Sequence, residues 1–157
     1  PMYIRIPRGE EPLVYEQGYD YHFEIGKANV IKEGKDLNII ATGMGVYGAV
    51  KAARSLEEQG YDVGVIDMHT IKPIDKDAII SAAKASGNLI TVEDHNILGG
   101  LGSIVADVLM EAGVYASLRK IGVPDTFVEF GYPEELYPYY KMDAAGIEEV
   151  ALEQLKK

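Results

Sequence analysis

The chain has 157 residues, 47% of them apolar, and a formal charge of −10. That length supports one core of ordinary size rather than two, and the negative field around it repels nucleic-acid phosphates and anionic lipid headgroups, which argues against a nucleic-acid or membrane partner. No cysteine is present, so disulfides, thiolate metal sites and cysteine nucleophiles are excluded, and a reducing cytoplasm is the expected compartment. Met2 to Ile6 alternates like a strand but runs into Pro7, Pro12 and a polar passage carrying Tyr15, Tyr19 and Tyr21. A lone strand has no partner there, so residues 1–24 read as the tail of a preceding domain plus a linker, and residues 25–157 as the self-contained domain. The aromatic content of the linker exceeds what a solvated tether needs, so it is expected to pack on a domain or partner.

From there strands and helices alternate. Ala28 to Lys32 reads as a strand, Glu33-Gly34-Lys35 as a tight turn and Asp36 to Thr42 as an apolar strand, so the first pair is expected to be an antiparallel hairpin. A helix follows, with Val46, Ala49, Val50, Ala53 and Leu56 on one face and Lys51, Arg54, Glu57 and Glu58 on the other, ended by Gly60. The unit repeats as a strand from Asp62 to Ile66, a helix from Asp75 to Ala85 and a strand from Asn88 to Val92. A helix from Leu101 to Ala112, a strand from Ser117 to Val123 and a last helix capped by Asp143 complete the pattern. Helical crossovers make four of these strands parallel. The expectation is a three-layer α/β/α sandwich with a mixed five-stranded sheet, four strands parallel and one antiparallel.

Such a sheet delivers the loops after its parallel strands to one edge, which gathers Asp67, His69, Glu93, Asp94 and His95. Three chemistries compete with simple loop bracing there. A divalent metal would need histidine and carboxylates to converge, but adjacent Glu93, Asp94 and His95 cannot all point one way, so no metal is expected. His95 beside an acid resembles a proton-transfer pair, though a sequence neighbour is poorly placed to orient the ring. Gly99, Gly100 and Gly102 precede a helix whose free N–H groups favour an anion; the same glycines also suit close packing of helix on strand. The order Gly-Gly-Leu-Gly-Ser matches neither the dinucleotide fingerprint nor a phosphate-binding P-loop.

Several motifs in order carry a family resemblance. They are Tyr3-Ile-Arg-Ile-Pro-Arg8-Gly9, Phe23 to Ala28, Glu33 to Asp36, Ile40-Ala-Thr-Gly43, Asp67-Met-His-Thr-Ile-Lys72-Pro73-Ile-Asp75, and Glu93-Asp94-His95 through Gly102-Ser103. Over almost its whole length the chain resembles the C-terminal domain of transketolases, of the short or split type. 1-Deoxyxylulose-5-phosphate synthases and the β subunits of 2-oxo acid dehydrogenases share the Lys-Pro element but usually lack the Asp-His after Glu93. A non-catalytic docking or binding module of such a relative is the alternative.

The resemblance implies a complete enzyme that moves a two-carbon ketol unit between sugar phosphates on thiamine diphosphate and Mg, as a homodimer of the whole. The Gly-Asp-Gly motif that holds metal and diphosphate is not in this sequence. The resemblance therefore implies that the cofactor sits in an N-terminal part, of the same enzyme or a separate subunit, and that the isolated chain is inactive and binds no cofactor. It offers no catalytic residue here. Arg8 matches an arginine that contacts the substrate phosphate, a role suited to a planar guanidinium, against the plain reading of an exposed linker arginine. For Glu93, Asp94, His95, Gly99, Gly100 and Gly102 it implies a ligand or domain-contact loop.

Overall fold

The computed structural model describes residues 1–7 and 12–156. Ten elements follow in order: β1 (Asn29–Lys32), β2 (Leu37–Ala41), α1 (Gly45–Glu58), β3 (Val63–Asp67), α2 (Lys76–Ser86), β4 (Asn88–Asn96), α3 (Leu101–Glu111), β5 (Ser117–Val123), α4 (Pro133–Tyr139) and α5 (Ala144–Leu155). The sheet order is β1-β3-β2-β4-β5, with β1 antiparallel to β3 and the other pairs parallel. This is the expected mixed five-stranded α/β/α sandwich.

Strand alternation sorts the core into two layers, because successive side chains leave opposite faces of a sheet. Leu37, Ile39, Ala41, Ile90 and Val92 face α1 and α5, where Ala49, Ala53, Leu56, Ile147 and Ala151 close the first cluster. Ile40, Ile66 and Leu89 face α2 and α3, where Ile79, Ala83, Leu101, Val105 and Val108 close the second. All five residues of β2 and of β3 are buried, as continuous apolar strands covered on both faces must be. Two helix starts are set by side chains: Asp75 accepts from the Ala78 N–H at 3.1 Å and Asp143 from the Gly146 N–H at 3.0 Å, each satisfying an otherwise orphan donor.

Two expectations are corrected. The hairpin between the first two strands does not form: β1 lies on β3, with Asn29 opposite Asp67 and Val30 opposite Ile66. Both edges of β2 are already taken by β3 and β4, and the Gly34 turn is pressed onto β3, where a Cβ would run into Gly64. Buried Asn38 fixes that crossing by accepting from the Gly34 N–H and donating to the carbonyls of Gly34 and Ala82. The second correction is length. Strand β4 does not stop at Val92 but runs on to Asn96, so Glu93, Asp94 and His95 are strand residues rather than loop residues. Helix α4, with Pro133 at its start and Pro138 within it, was not legible as a helix because proline marks turns more often than helices.

Candidate functional site

Strand β2 connects to β3 on one side and β4 lies on its other side, so the switch point of the sheet falls between the ends of β2 and β4. Open α/β sheets bind ligands in that crevice. Here it is a shallow depression lined by Met44, Gly45, Val92, Asp94, Tyr137 and Met142. Tyr137 and Met142 come from the segment after β5 and close the crevice from above. The Tyr137 hydroxyl donates to Asp94 Oδ2 at 3.3 Å, and Arg5 of the N-terminal segment donates to the same oxygen at 3.1 Å and to the Asp94 carbonyl. In the turn below, a Cβ on Gly45 would sit 2.8 Å from Val92 Cγ1, so Gly45 is there for close packing of α1 on β4.

The run from Glu93 to Gly102 is divided by the alternation of β4. Glu93 faces α3. It is 2% exposed, and its two carboxylate oxygens accept from the Leu101 N–H at 2.7 Å and the Gly102 N–H at 2.8 Å. The helix N-terminus that would attract a ligand anion therefore holds a carboxylate from the next strand, where the helix dipole favours it. Gly100 leaves the room: a Cβ there would overlap the Glu93 carboxylate. At Gly102 a Cβ would lie 2.6 Å from Thr91 Oγ1 and 2.8 Å from the Lys120 stem. Gly99 takes a φ of +81°, and its N–H donates to Ser103 Oγ at 2.9 Å. Asp94 leaves the opposite face toward Arg5 and Tyr137. His95 is exposed at the strand end. The structure thus sends these three adjacent side chains to three environments.

Asp67 and His69 belong to a separate corner. Asp67 ends β3 and accepts a short hydrogen bond from the Tyr15 hydroxyl, which in turn accepts from Asn29 Nδ2 at 3.0 Å. Burial pushes the Asp67 carboxyl above its usual range, against the opposing pull of the Tyr15 hydrogen bond and of His69. Tyr15 is itself raised, by burial first and then by its contact with the Asp67 carboxylate. The Tyr15 ring packs on Tyr19 and Tyr21, and Phe23 lies 4.6 Å from the His69 ring. The tyrosine-rich segment ahead of β1 is therefore laid over this corner, as its composition led one to expect. Asp75, buried at the start of α2, accepts from the Ala28 N–H at 3.0 Å, so the Lys72-Pro73-Ile-Asp75 motif ties the entry of the domain to a helix start. Arg5 and Tyr137 are the side chains that sequence reasoning missed, and for Tyr15 it expected packing but not the bond to Asp67; each acts at long range, and no local spacing marks its partner. Arg8 lies outside the described residues.

Fold and edge together define an α/β/α domain whose ligand side is closed by its own side chains. The chain belongs to the transketolase C-terminal domain family, whose model, "Transketolase, C-terminal domain", matches residues 26–147. One of the subunits of an apulose-4-phosphate transketolase from Phocaeicola vulgatus is 45% identical over 157 residues, 100% of this chain and 49% of that protein. 1-Deoxy-D-xylulose-5-phosphate synthase 1 of Geobacter metallireducens is 38% identical over 148 residues, 94% of this chain and 24% of that enzyme. Among solved structures, a split-gene transketolase described as an inactive β4 tetramer superposes with a TM-score of 0.86 at 37% identity, over 95% of this chain and 48% of that one. The chain thus spans about half the length of the transketolase relatives it matches.

Thiamine diphosphate with Mg, the cofactor that this family implies, does not fit the residues at this edge. The α3 N–H groups that would face a diphosphate are bonded to Glu93, and among the described residues no three His, Asp or Glu converge as a metal site. No helix among them is long and apolar enough to cross a membrane.

Proposed function

We propose that the chain is the C-terminal part of a transketolase, with residues 1–24 as the tail of a preceding pyrimidine-binding domain and its linker, and residues 25–157 as the C-terminal domain. The observation that carries this reading is the alignment of the whole chain, at 45% identity, with a protein named as one subunit of a transketolase. The complete enzyme transfers a two-carbon ketol unit between sugar phosphates, in the pentose phosphate class of interconversions, in the cytoplasm and as a homodimer of the whole. Its thiamine diphosphate and Mg are held by an N-terminal part, in the same enzyme or a separate subunit. This chain contributes domain and dimer contacts, and Arg8 contributes one contact to the substrate phosphate. Glu93 braces α3, and Asp94 with Arg5 and Tyr137 braces the switch-point crevice, so the 93–102 run acts by positioning rather than by chemistry.

Reconstitution with the cofactor-binding part tests the proposal. The chain alone gives no saturable heat with thiamine diphosphate and Mg and no ketol transfer, and the combined parts give both. In the combined enzyme Arg8→Ala raises KM for the phosphorylated donor by the worth of a charge-assisted hydrogen bond, about 1.5–3 kcal/mol. Cofactor binding by the isolated chain, or a combined enzyme without ketol transfer, overturns the reading. The 38% identity to a 1-deoxy-D-xylulose-5-phosphate synthase favours the second reading, a docking module of that enzyme class, which activity with only such a partner would establish.

A further inference from the structure

After Val123 the chain carries its most exposed aromatic side chains among the described residues. Phe127 is 99% and Phe130 105% exposed, and Val128, Tyr132 and Tyr139 are exposed beside them. This is not a loose tether. Asn96 Nδ2 reaches the Pro124 carbonyl at 3.5 Å, the Tyr132 N–H is bonded by Glu135 Oε2 at 3.3 Å, and Tyr137 and Tyr140 pack inward on the first core cluster. Residues 124–139 thus form an anchored arm that turns one set of aromatics to the core and another outward. Contiguous exposed apolar surface of this kind marks an interaction site, and a preformed arm loses less conformational freedom on binding than a flexible one.

The arm's charge says what it fits. Asp125, Glu129, Glu134 and Glu135 are interspersed with its aromatics, and no Lys or Arg occurs between Lys120 and Lys141. Two copies meeting symmetrically through this surface would set acid against acid. A head-to-tail contact with a second copy is also disfavoured, since each copy carries a formal charge of −10 and several of its bases, Arg5, Lys32, Arg54, Lys76, Arg119 and Lys141, already face a carboxylate. The complementary surface is an apolar socket rimmed by Lys and Arg on a different polypeptide. The arm also meets the N-terminal segment, since Arg5 and Tyr137 both donate to Asp94, and Tyr3, Ile4 and Ile6 of that segment are exposed.

We propose that residues 124–139 are an acidic, aromatic docking arm that seats in a basic-rimmed apolar socket on the partner polypeptide. Resting on the function proposed above, the partner is the part of the enzyme that holds the cofactor. The test uses the full chain and that part produced separately, with the dissociation constant measured by titration calorimetry and by sedimentation. The wild-type pair forms and weakens as NaCl rises from about 0.05 to about 0.5 M, over which the screening length falls severalfold. Phe127→Ser with Phe130→Ser, and separately Glu129→Lys with Glu134→Lys, each raise Kd at least tenfold at unchanged Tm, since these side chains are exposed. Tyr115→Ser, at a 90% exposed site in the turn between α3 and β5, leaves Kd within twofold. Unchanged Kd in both arm variants overturns the docking arm while leaving the proposed function standing. Loss of self-association by the chain alone in the same variants also overturns it, by showing a second copy as the occupant. If the wild-type chain does not bind the cofactor part at all, the proposed function falls and the arm's assignment with it.

Discussion

Two corners of the same sheet edge are closed in different ways. At the end of β4 the closure is local: Glu93, eight and nine residues before its partners, fills the start of α3 from within the folded core. At the end of β3 the closure is distant: Asp67 is covered by Tyr15 from the segment ahead of β1, 52 residues earlier, with Tyr19, Tyr21 and Phe23 packed around it. The first corner is part of what makes the domain fold. The second is a cover over a carboxylate and a histidine, laid down by the segment ahead of β1.

The largest effect is expected at the first corner. Glu93→Ala leaves two buried helix N–H groups unsatisfied and is expected to cost about 3 kcal/mol, which for a domain of this size lowers Tm by roughly 10 °C. Glu93→Gln keeps one acceptor and costs less. A fall under about 1 kcal/mol in calorimetric unfolding of Glu93→Ala would erase the distinction between the corners. Tyr15→Phe removes one hydroxyl at the second corner and is expected to cost about 1 kcal/mol. Limited proteolysis near Glu16 to Gly18 should speed up while the α/β core resists; equal resistance of parent and variant would show that the linker is held by ring packing alone.

A pH series sharpens the comparison further. The Asp67 carboxyl is raised by burial from its ordinary value of 3.8. A raised acid contributes its stability fully below the unfolded value and loses it as pH climbs through the folded one, because the charge must then be carried in a buried place. Asp67→Asn keeps an acceptor for Tyr15 and removes that loss. The variant's stability relative to the parent is therefore expected to be most favourable near neutral pH, to diminish as pH falls through the raised folded value, and to level off below about 4. Urea unfolding at several pH values reads this directly, and a difference that grows toward acid would reverse the sign assigned to Asp67. The smallest effect belongs to His95, exposed at the strand end. His95→Asn is expected to change stability by under about 0.5 kcal/mol and to leave kcat of the reconstituted enzyme within severalfold. A loss of about a hundredfold, typical of a missing general acid or base, would give His95 a chemical role.

Much of the fold was legible because it rests on periodicity and caps. The alternation of apolar strands with amphipathic helices, Gly60 past the end of α1 and Asp143 at the start of α5 are local signals, and the structure carries each of them. Sequence likewise placed Asp67, His69, Glu93, Asp94 and His95 at one edge, since the ends of parallel strands must meet there. The tertiary structure decided the rest. Strand β1 chose β3 over its sequence neighbour because burial on both sides leaves β2 no free edge, and alternation within a strand says nothing about which strand lies beside it. Strand β4 continued past Val92 because Glu93 finds two N–H donors on α3, a partnership that makes a charged residue acceptable in the core and that no spacing announces. The two-residue period of a strand then sends Glu93 and Asp94 to opposite faces, and His95, on the Glu93 side, reaches solvent because β4 is ending there, so that three adjacent polar side chains read as a loop cluster in the sequence become a helix brace, a crevice brace and a solvent-facing ring.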